Sequence, residues 1–124
     1  MRILVDTHVL LWWFGGHSMS DAAMTAIGDP VNEVFVSAAT IWEISIKSGK
    51  GKLRINDGFM TMLNENAFEM LPITWGHSLS AGILPMHHRD PFDRMLVAQA
   101  RDESLTLVTR DPALLRYDID CLVA

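Results

Sequence analysis

Residues 87–100, His87-His88-Arg89-Asp90-Pro91-Phe92-Asp93-Arg94-Met95-Leu96-Val97-Ala98-Gln99-Ala100, read as the start of a helix with two carboxylates in its first turn. Asp90 is a good N-cap, and Pro91 suits the first helical position, where a missing N–H costs nothing. Asp93 falls at the third position, the carboxylate half of a capping box. Caps alone would account for both acids. Three further acids, Asp6, Glu43 and Asp111, sit in equivalent places, each where an apolar strand or helix run meets a single carboxylate. That recurrence asks for a common cause.

Working outward, Leu105–Thr109 reads as a strand, and Asp111-Pro112 repeats the Asp-Pro cap before a short helix to Arg116. Ile119–Val123 is a last strand. Upstream, residues 2–5 form a short buried strand, and Asp6-Thr7 ends it and can cap a helix from His8 to Phe14. Gly15-Gly16 breaks that helix. Ser20 caps a second helix from Asp21 to Ile27, with Gly28 as its left-handed stop. Val34–Val36 is strand two, and Ser37 caps a helix through Ser48, ended by Gly49. Asp57 caps a helix of about residues 58–66. Glu69–Ile73 is strand three, and Pro72 near its end places it at a sheet edge. Thr74 caps a short helix to Ile83, and the helix capped by Asp90 runs to about Glu103. Strands of four to five residues alternating with helices predict a parallel α/β sheet with helices on both faces, in one domain spanning residues 1–124.

The 124 residues suffice for one core, and 49% are hydrophobic. The mean hydropathy of +0.18 is ordinary for a globular domain. Core packing is the first reading of the eight Met and of the run Trp12-Trp13-Phe14, with a partner surface as the alternative. The net charge of −5 counts against a simple nucleic-acid binder, which is usually basic, but less against a metal enzyme whose own carboxylates supply the charge. The single Cys121 excludes an internal disulfide and suits a reducing cytoplasm. No cleavage site follows the apolar start and no 18-residue apolar run exists, so neither a signal peptide nor a membrane span is expected. Lys47, Lys50, Lys52 and Arg54 cluster at a helix C-terminus, where cations are favourable; contact with phosphate is the alternative.

In open α/β sheets, function gathers at the carboxyl ends of the strands. Asp6 and Asp111 follow strands one and four. Asp93 opens the helix before strand four, and Glu43 lies two turns into the helix after strand two, so all four could converge. Each has a plain alternative. Asp6 and Asp111 can be caps, Asp93 can complete a capping box, and Glu43 can pair with Lys47 at i,i+4. Yet the surroundings of Glu43, residues 38–46, are apolar almost all round, and a carboxylate buried there is costly unless compensated. One shared cause is a hard divalent cation. Clustered carboxylates without a Cys or His set match Mg²⁺ or Mn²⁺. With no Gly-rich phosphate loop, hydrolysis of a phosphodiester by metal-activated water is the simplest chemistry. The histidines read as satisfied or solvated: His8, His17 and His77 are isolated, and a loop before a helix accounts for His87 and His88.

Four segments resemble, in order and across essentially the whole chain, the PIN-domain ribonucleases, and among them the VapC-type toxins of toxin–antitoxin pairs. They are Leu4-Val5-Asp6-Thr7-His8, Trp42-Glu43-Ile44-Ser45-Ile46-Lys47, His88-Arg89-Asp90-Pro91-Phe92-Asp93-Arg94 and Leu107-Val108-Thr109-Arg110-Asp111. The resemblance implies an α/β/α sandwich with a central, mostly parallel sheet. It implies a Mg²⁺- or Mn²⁺-dependent endoribonuclease, neutralised by a cognate antitoxin and usually dimeric. It carries the family's four acids onto Asp6, Glu43, Asp93 and Asp111 as catalytic metal ligands, and its hydroxyl position onto Thr109. Asp90 stays a cap. Arg89, Arg94 and Arg110 flank the acids, to hold RNA phosphates or to pair locally. If partly exposed, Trp12-Trp13-Phe14 would offer the antitoxin aromatic anchors.

Two other classes stand beside this one. A receiver-like signalling domain would accept a phosphoryl group on one Asp. A non-catalytic interaction module would use its acids only as caps.

Overall fold

A computed structural model describes residues 1–51 and 58–124. The expected cap Asp57 and the cations Lys52 and Arg54 lie outside the described residues. The chain runs β1 (Arg2–Val5), α1 (Thr7–Gly15), α2 (Asp21–Gly28), β2 (Glu33–Ser37), α3 (Ala38–Gly49), α4 (Phe59–Glu65), β3 (Glu69–Leu71), α5 (Trp75–Gly82), α6 (Pro91–Asp102), β4 (Thr106–Thr109), a 3₁₀ turn (Leu114–Arg116) and β5 (Cys121–Val123).

Among the described residues, five strands form one sheet in the order β3-β2-β1-β4-β5, every neighbouring pair parallel. Leu4 faces Phe35 on one side and Leu107 on the other. Parallel strands buried on both faces read as continuous apolar runs, and β1 does so. Alternation along it feeds two cores. Ile3 and Val5 join Val9, Leu10, Ile27, Ile44 and Val108 under α1–α4. Leu4 joins Leu96, Val97, Leu107 and Leu114 under α5 and α6. The result is an α/β/α sandwich. Its strand order differs from the 2-1-3-4-5 order of a receiver domain, which removes that alternative.

Local chemistry sets most helix starts as expected. Asp6, Ser20, Ser37, Thr74 and Asp90 each accept a hydrogen bond from a first-turn amide. One stop differs. Gly28 is the last residue of α2, and Asp29 leaves the helix in extended backbone (φ −75°), so no left-handed residue is used there. α3 ends at Gly49 as expected, and the positive φ falls two residues later, on Gly51. Strand three is shorter than expected, with Pro72 just beyond it, and it does lie at the edge. Only a 3₁₀ turn follows Asp111-Pro112. Trp12, Trp13 and Phe14 are half-buried against the first core.

Candidate metal centre

The chain winds from β1 outward through β2 to β3, then returns to add β4 on the other side of β1. The crevice of such a sheet opens where the order reverses, at the carboxyl ends of β1 and β4. Asp6 follows β1 there, buried, and its two oxygens do different work. Oδ1 caps α1 by accepting the Val9 amide at 2.8 Å. Oδ2 accepts the hydroxyl of Thr109, the last residue of β4, at 2.5 Å. Cap and site residue are therefore not exclusive readings. Burial pushes the Asp6 carboxyl up from its ordinary value, against the pull of these two donors.

Glu43 is buried on the inward face of α3. Thr7 Oγ1 donates to its Oε1 at 2.7 Å, and Lys47 Nζ lies 2.7 Å from Oε2. The i,i+4 pair exists, but as the compensation of a buried charge and not as a solvated arrangement. That hydrogen bond is the main cause of the raised Lys47 pKa; Asp90 and Asp93 add to it.

At the start of α6, Asp90 Oδ1 accepts the amides of Phe92 and Asp93 at 2.8 and 3.2 Å. The capping box, the alternative reading of Asp93, does not form. The Asp90 amide that it would have accepted donates instead to His88 Nδ1 at 3.0 Å. The Asp93 carboxylate turns to the opposite edge of that imidazole, where Oδ2 lies 3.1 Å from His88 Nε2. Asp111 Oδ2 accepts from the same Nε2 at 2.9 Å. Asp111 is also tied to the others through Thr109, whose Oγ1 accepts the Asp111 amide at 3.1 Å. Burial raises the Asp93 carboxyl to about 7. The charge of Asp90 adds to this, His88 pulls the other way, and Glu43 and Asp6 push up again. The four expected acids thus lie near enough for their charges to act on one another, Glu43 and Asp6 on Asp93, and Asp111 on Asp6. A cavity of about 280 Å³ opens beside Asp6 and Asp111, lined also by His8, Trp12 and Arg110.

The arginines separate. Arg94 is buried, with its guanidinium within hydrogen-bond reach of the carbonyls of Ala81, Leu84, Pro85 and His88. It braces the loop before α6 and is not free to hold phosphate. Arg110 donates to the carbonyls of Ala124 and Ser18 and lies 4.4 Å over the Trp12 ring. Arg89 is exposed and unpaired among the described residues. His77 is the satisfied core histidine expected, between Thr74 and Glu103. His88 is what the sequence reading missed. Its one signal was a place two residues before an N-cap, where its ring can take the cap's amide.

The donor set fits a hard divalent cation. Asp6, Glu43, Asp93 and Asp111 offer carboxylate oxygens, and no thiol is among them. Among the described residues, His88, Asp93 and Asp111 place potential ligand atoms within 4.8 Å of one another.

The family model described as PIN domain matches residues 3–120. No curated protein matches the chain. Solved structures do. VapBC2 from Rickettsia felis, bound to a DNA fragment from its promoter, is similar at a TM-score of 0.75 and 16% identity, over 99% of this chain and 98% of that one. A toxin–antitoxin complex from Klebsiella pneumoniae is similar at 0.68 and 20%, over 97% and 95%. VapBC-5 from Mycobacterium tuberculosis is similar at 0.61 and 16%, over 98% and 96%. At these identities the likeness is one of fold.

Proposed function

The chain belongs to the PIN domain family, and from that premise we propose that it is a divalent-metal-dependent endoribonuclease, the toxin of a toxin–antitoxin pair. The observation that carries the reading is the convergence of Asp6, Glu43, Asp93 and Asp111, from four separate segments, on the crevice where the strand order reverses. Caps need no such convergence, and Glu43 and Asp93 cap nothing.

These four carboxylates would hold Mg²⁺ or Mn²⁺. When bound, the cation supplies positive charge against the phosphodiester and makes water a usable nucleophile. The chain's own residues prepare the site. Thr109 orients Asp6 by donating to Oδ2. Thr7 and Lys47 satisfy both oxygens of the buried Glu43 carboxylate. Arg89, exposed beside the crevice, would contact an RNA phosphate and position the strand.

A protein antitoxin is the expected partner, since the similar structures include toxin–antitoxin complexes. A second copy of the chain is the other. Trp75, Leu79, Ile83 and Met86 are all exposed; Trp75 and Leu79 lie four residues apart on α5, and Ile83 follows at the same spacing as its C-cap. Such a stripe can bury itself against its own copy about a two-fold axis. Leu79→Glu should then give a monomer by sedimentation. No described helix is long and apolar enough to cross a membrane, and we place the activity in the cytoplasm, where RNA and a reduced Cys121 coexist.

The test is cleavage of structured RNAs with Mg²⁺, with Mn²⁺ and with EDTA. Asp6→Asn, Glu43→Gln and Asp93→Asn should each lower kcat by at least ~100-fold, and Asp111→Asn by less, because water can replace a more exposed ligand. Full activity in EDTA would refute the proposal.

A further inference from the structure

We propose that His88 is a positioning residue of this metal centre: its Nε2–H holds Asp93 and Asp111 together as a ligand pair while the imidazole stays out of the cation's coordination shell. The inference rests on the metal reading above.

The hydrogen bonds of the ring assign its tautomer. Nδ1 accepts the backbone N–H of Asp90 at 3.0 Å, so it carries a lone pair and no proton. The proton of the neutral ring is then on Nε2, between Asp111 Oδ2 at 2.9 Å and Asp93 Oδ2 at 3.1 Å. A protonated ring nitrogen has no lone pair to give a metal. Its proximity to two carboxylates makes His88 look like a third ligand, and the tautomer argues the opposite.

The same bond explains how Asp93 becomes available. In a capping box, a carboxylate at Asp93 would take the Asp90 amide and face the helix end. His88 takes that amide, so the carboxylate is released toward the crevice. Two like charges facing one crevice repel. An N–H that donates to Asp111 and lies 3.1 Å from Asp93 offsets part of that repulsion and leaves each carboxylate with further lone pairs for a cation.

The ring is held in place from behind. The His88 amide donates to Tyr117 Oη at 3.1 Å, and Tyr117 Oη donates to the Pro85 carbonyl at 2.7 Å. The buried Arg94 guanidinium lies 3.3 Å from the His88 carbonyl and ties in Ala81 and Leu84. A consequence follows for metal choice. With His88 outside the shell, the donors are oxygens alone, which favours Mg²⁺ and Mn²⁺ over zinc.

The experiment is Mn²⁺ titration of the full chain and of His88→Gln and His88→Ala, read by the EPR signal of free Mn²⁺, with pulsed EPR of the bound ion for nitrogen coupling. Circular dichroism and melting of each variant accompany it. Bound Mn²⁺ in the parent should show no directly coordinated imidazole nitrogen. His88→Ala should bind about 10–100-fold more weakly, the usual cost of losing a donor behind a metal ligand. His88→Gln, whose amide N–H reaches the place of Nε2–H, should recover most of that loss. A directly coordinated nitrogen that vanishes in His88→Ala overturns the proposal, as does equal affinity in all three proteins, or a Gln variant as weak as the Ala one. The parent spectrum needs no variant, so misfolding of His88→Ala leaves the test intact. Failure of the parent to bind Mn²⁺ at all would overturn the metal reading itself, and this inference with it.

Discussion

Thr109 Oγ1 donates to Asp6 Oδ2 at 2.5 Å, joining residues 103 positions apart in the chain. The bond spans the carboxyl ends of β1 and β4, the two strands between which the sheet order reverses. Because Asp6 is buried, this donor works against the burial that raises its carboxyl. Thr109→Val keeps the shape and removes the hydroxyl. It should cost about 1.5–3 kcal/mol, the scale of a hydrogen bond to a charged group, and weaken Mn²⁺ binding. Thr109→Ser should do neither. Chemical denaturation and Mn²⁺ titration of the three proteins check this, and a Val variant indistinguishable from the parent refutes it.

Glu43 and Lys47 are unequal partners. The Glu43 side chain is 4% exposed and that of Lys47 40%. Removing the acid lets the lysine return to water, whereas removing the lysine leaves a carboxylate in the core with only Thr7. Lys47→Met should therefore destabilise the metal-free protein more than Glu43→Gln, by at least ~1 kcal/mol. Urea melts in EDTA decide it, and the reverse order would show that the pair is effectively solvated.

Asp93 sets a pH dependence whose sign can be worked out. Its carboxyl is raised in the fold from 3.8 to about 7, so between those values the native state holds a proton that the unfolded chain releases. Stability of the metal-free parent should then fall as pH rises through that window. Asp93→Asn removes the group. In EDTA at pH 7.5 it should melt at or above the parent, although it forgoes about 0.3–1 kcal/mol of first-turn charge. At pH 5, where the parent is mostly protonated, the advantage should shrink. Mg²⁺ should raise the parent's Tm by mass action and that of the variant much less. Equal metal-induced shifts would remove Asp93 from the site.

Arg94 and Arg89 should fail in different assays. Arg94→Met leaves several buried carbonyls without a donor and should cost about 3 kcal/mol. Lysine should rescue it poorly, because it lacks the planar fan of donors. Arg89→Ala should change stability by no more than ~0.5 kcal/mol. It should instead weaken RNA binding uniformly and reduce the salt slope by about 1. Thermal melts and binding isotherms at several salt concentrations separate the two.

Much of the architecture was legible in the chain because its causes are local. The capping residues Asp6, Ser20, Ser37, Thr74 and Asp90 act on amides two or three positions away, and Pro91 needs only its own geometry. The apolar runs of β1 and β4 announce strands buried on both faces, as parallel strands must be. The four acids stood out for the same reason, each being a local exception to an apolar stretch. Stops were less legible. Gly28 is flexible enough to end a helix left-handed but is not required to, and the following backbone turned out extended.

What only the tertiary structure decided is how the polar groups pair. Arg89, Arg94 and Arg110 look alike in sequence. One is exposed, one is buried under carbonyls from the end of α5 and the loop after it, and one lies over Trp12. His88 read as a loop residue because its partner Asp111 lies 23 positions away. An imidazole or a guanidinium takes its role from whichever acceptors the packed layers bring within about 3 Å, and hydrogen-bond energy falls off too steeply beyond that for sequence distance to stand in for it.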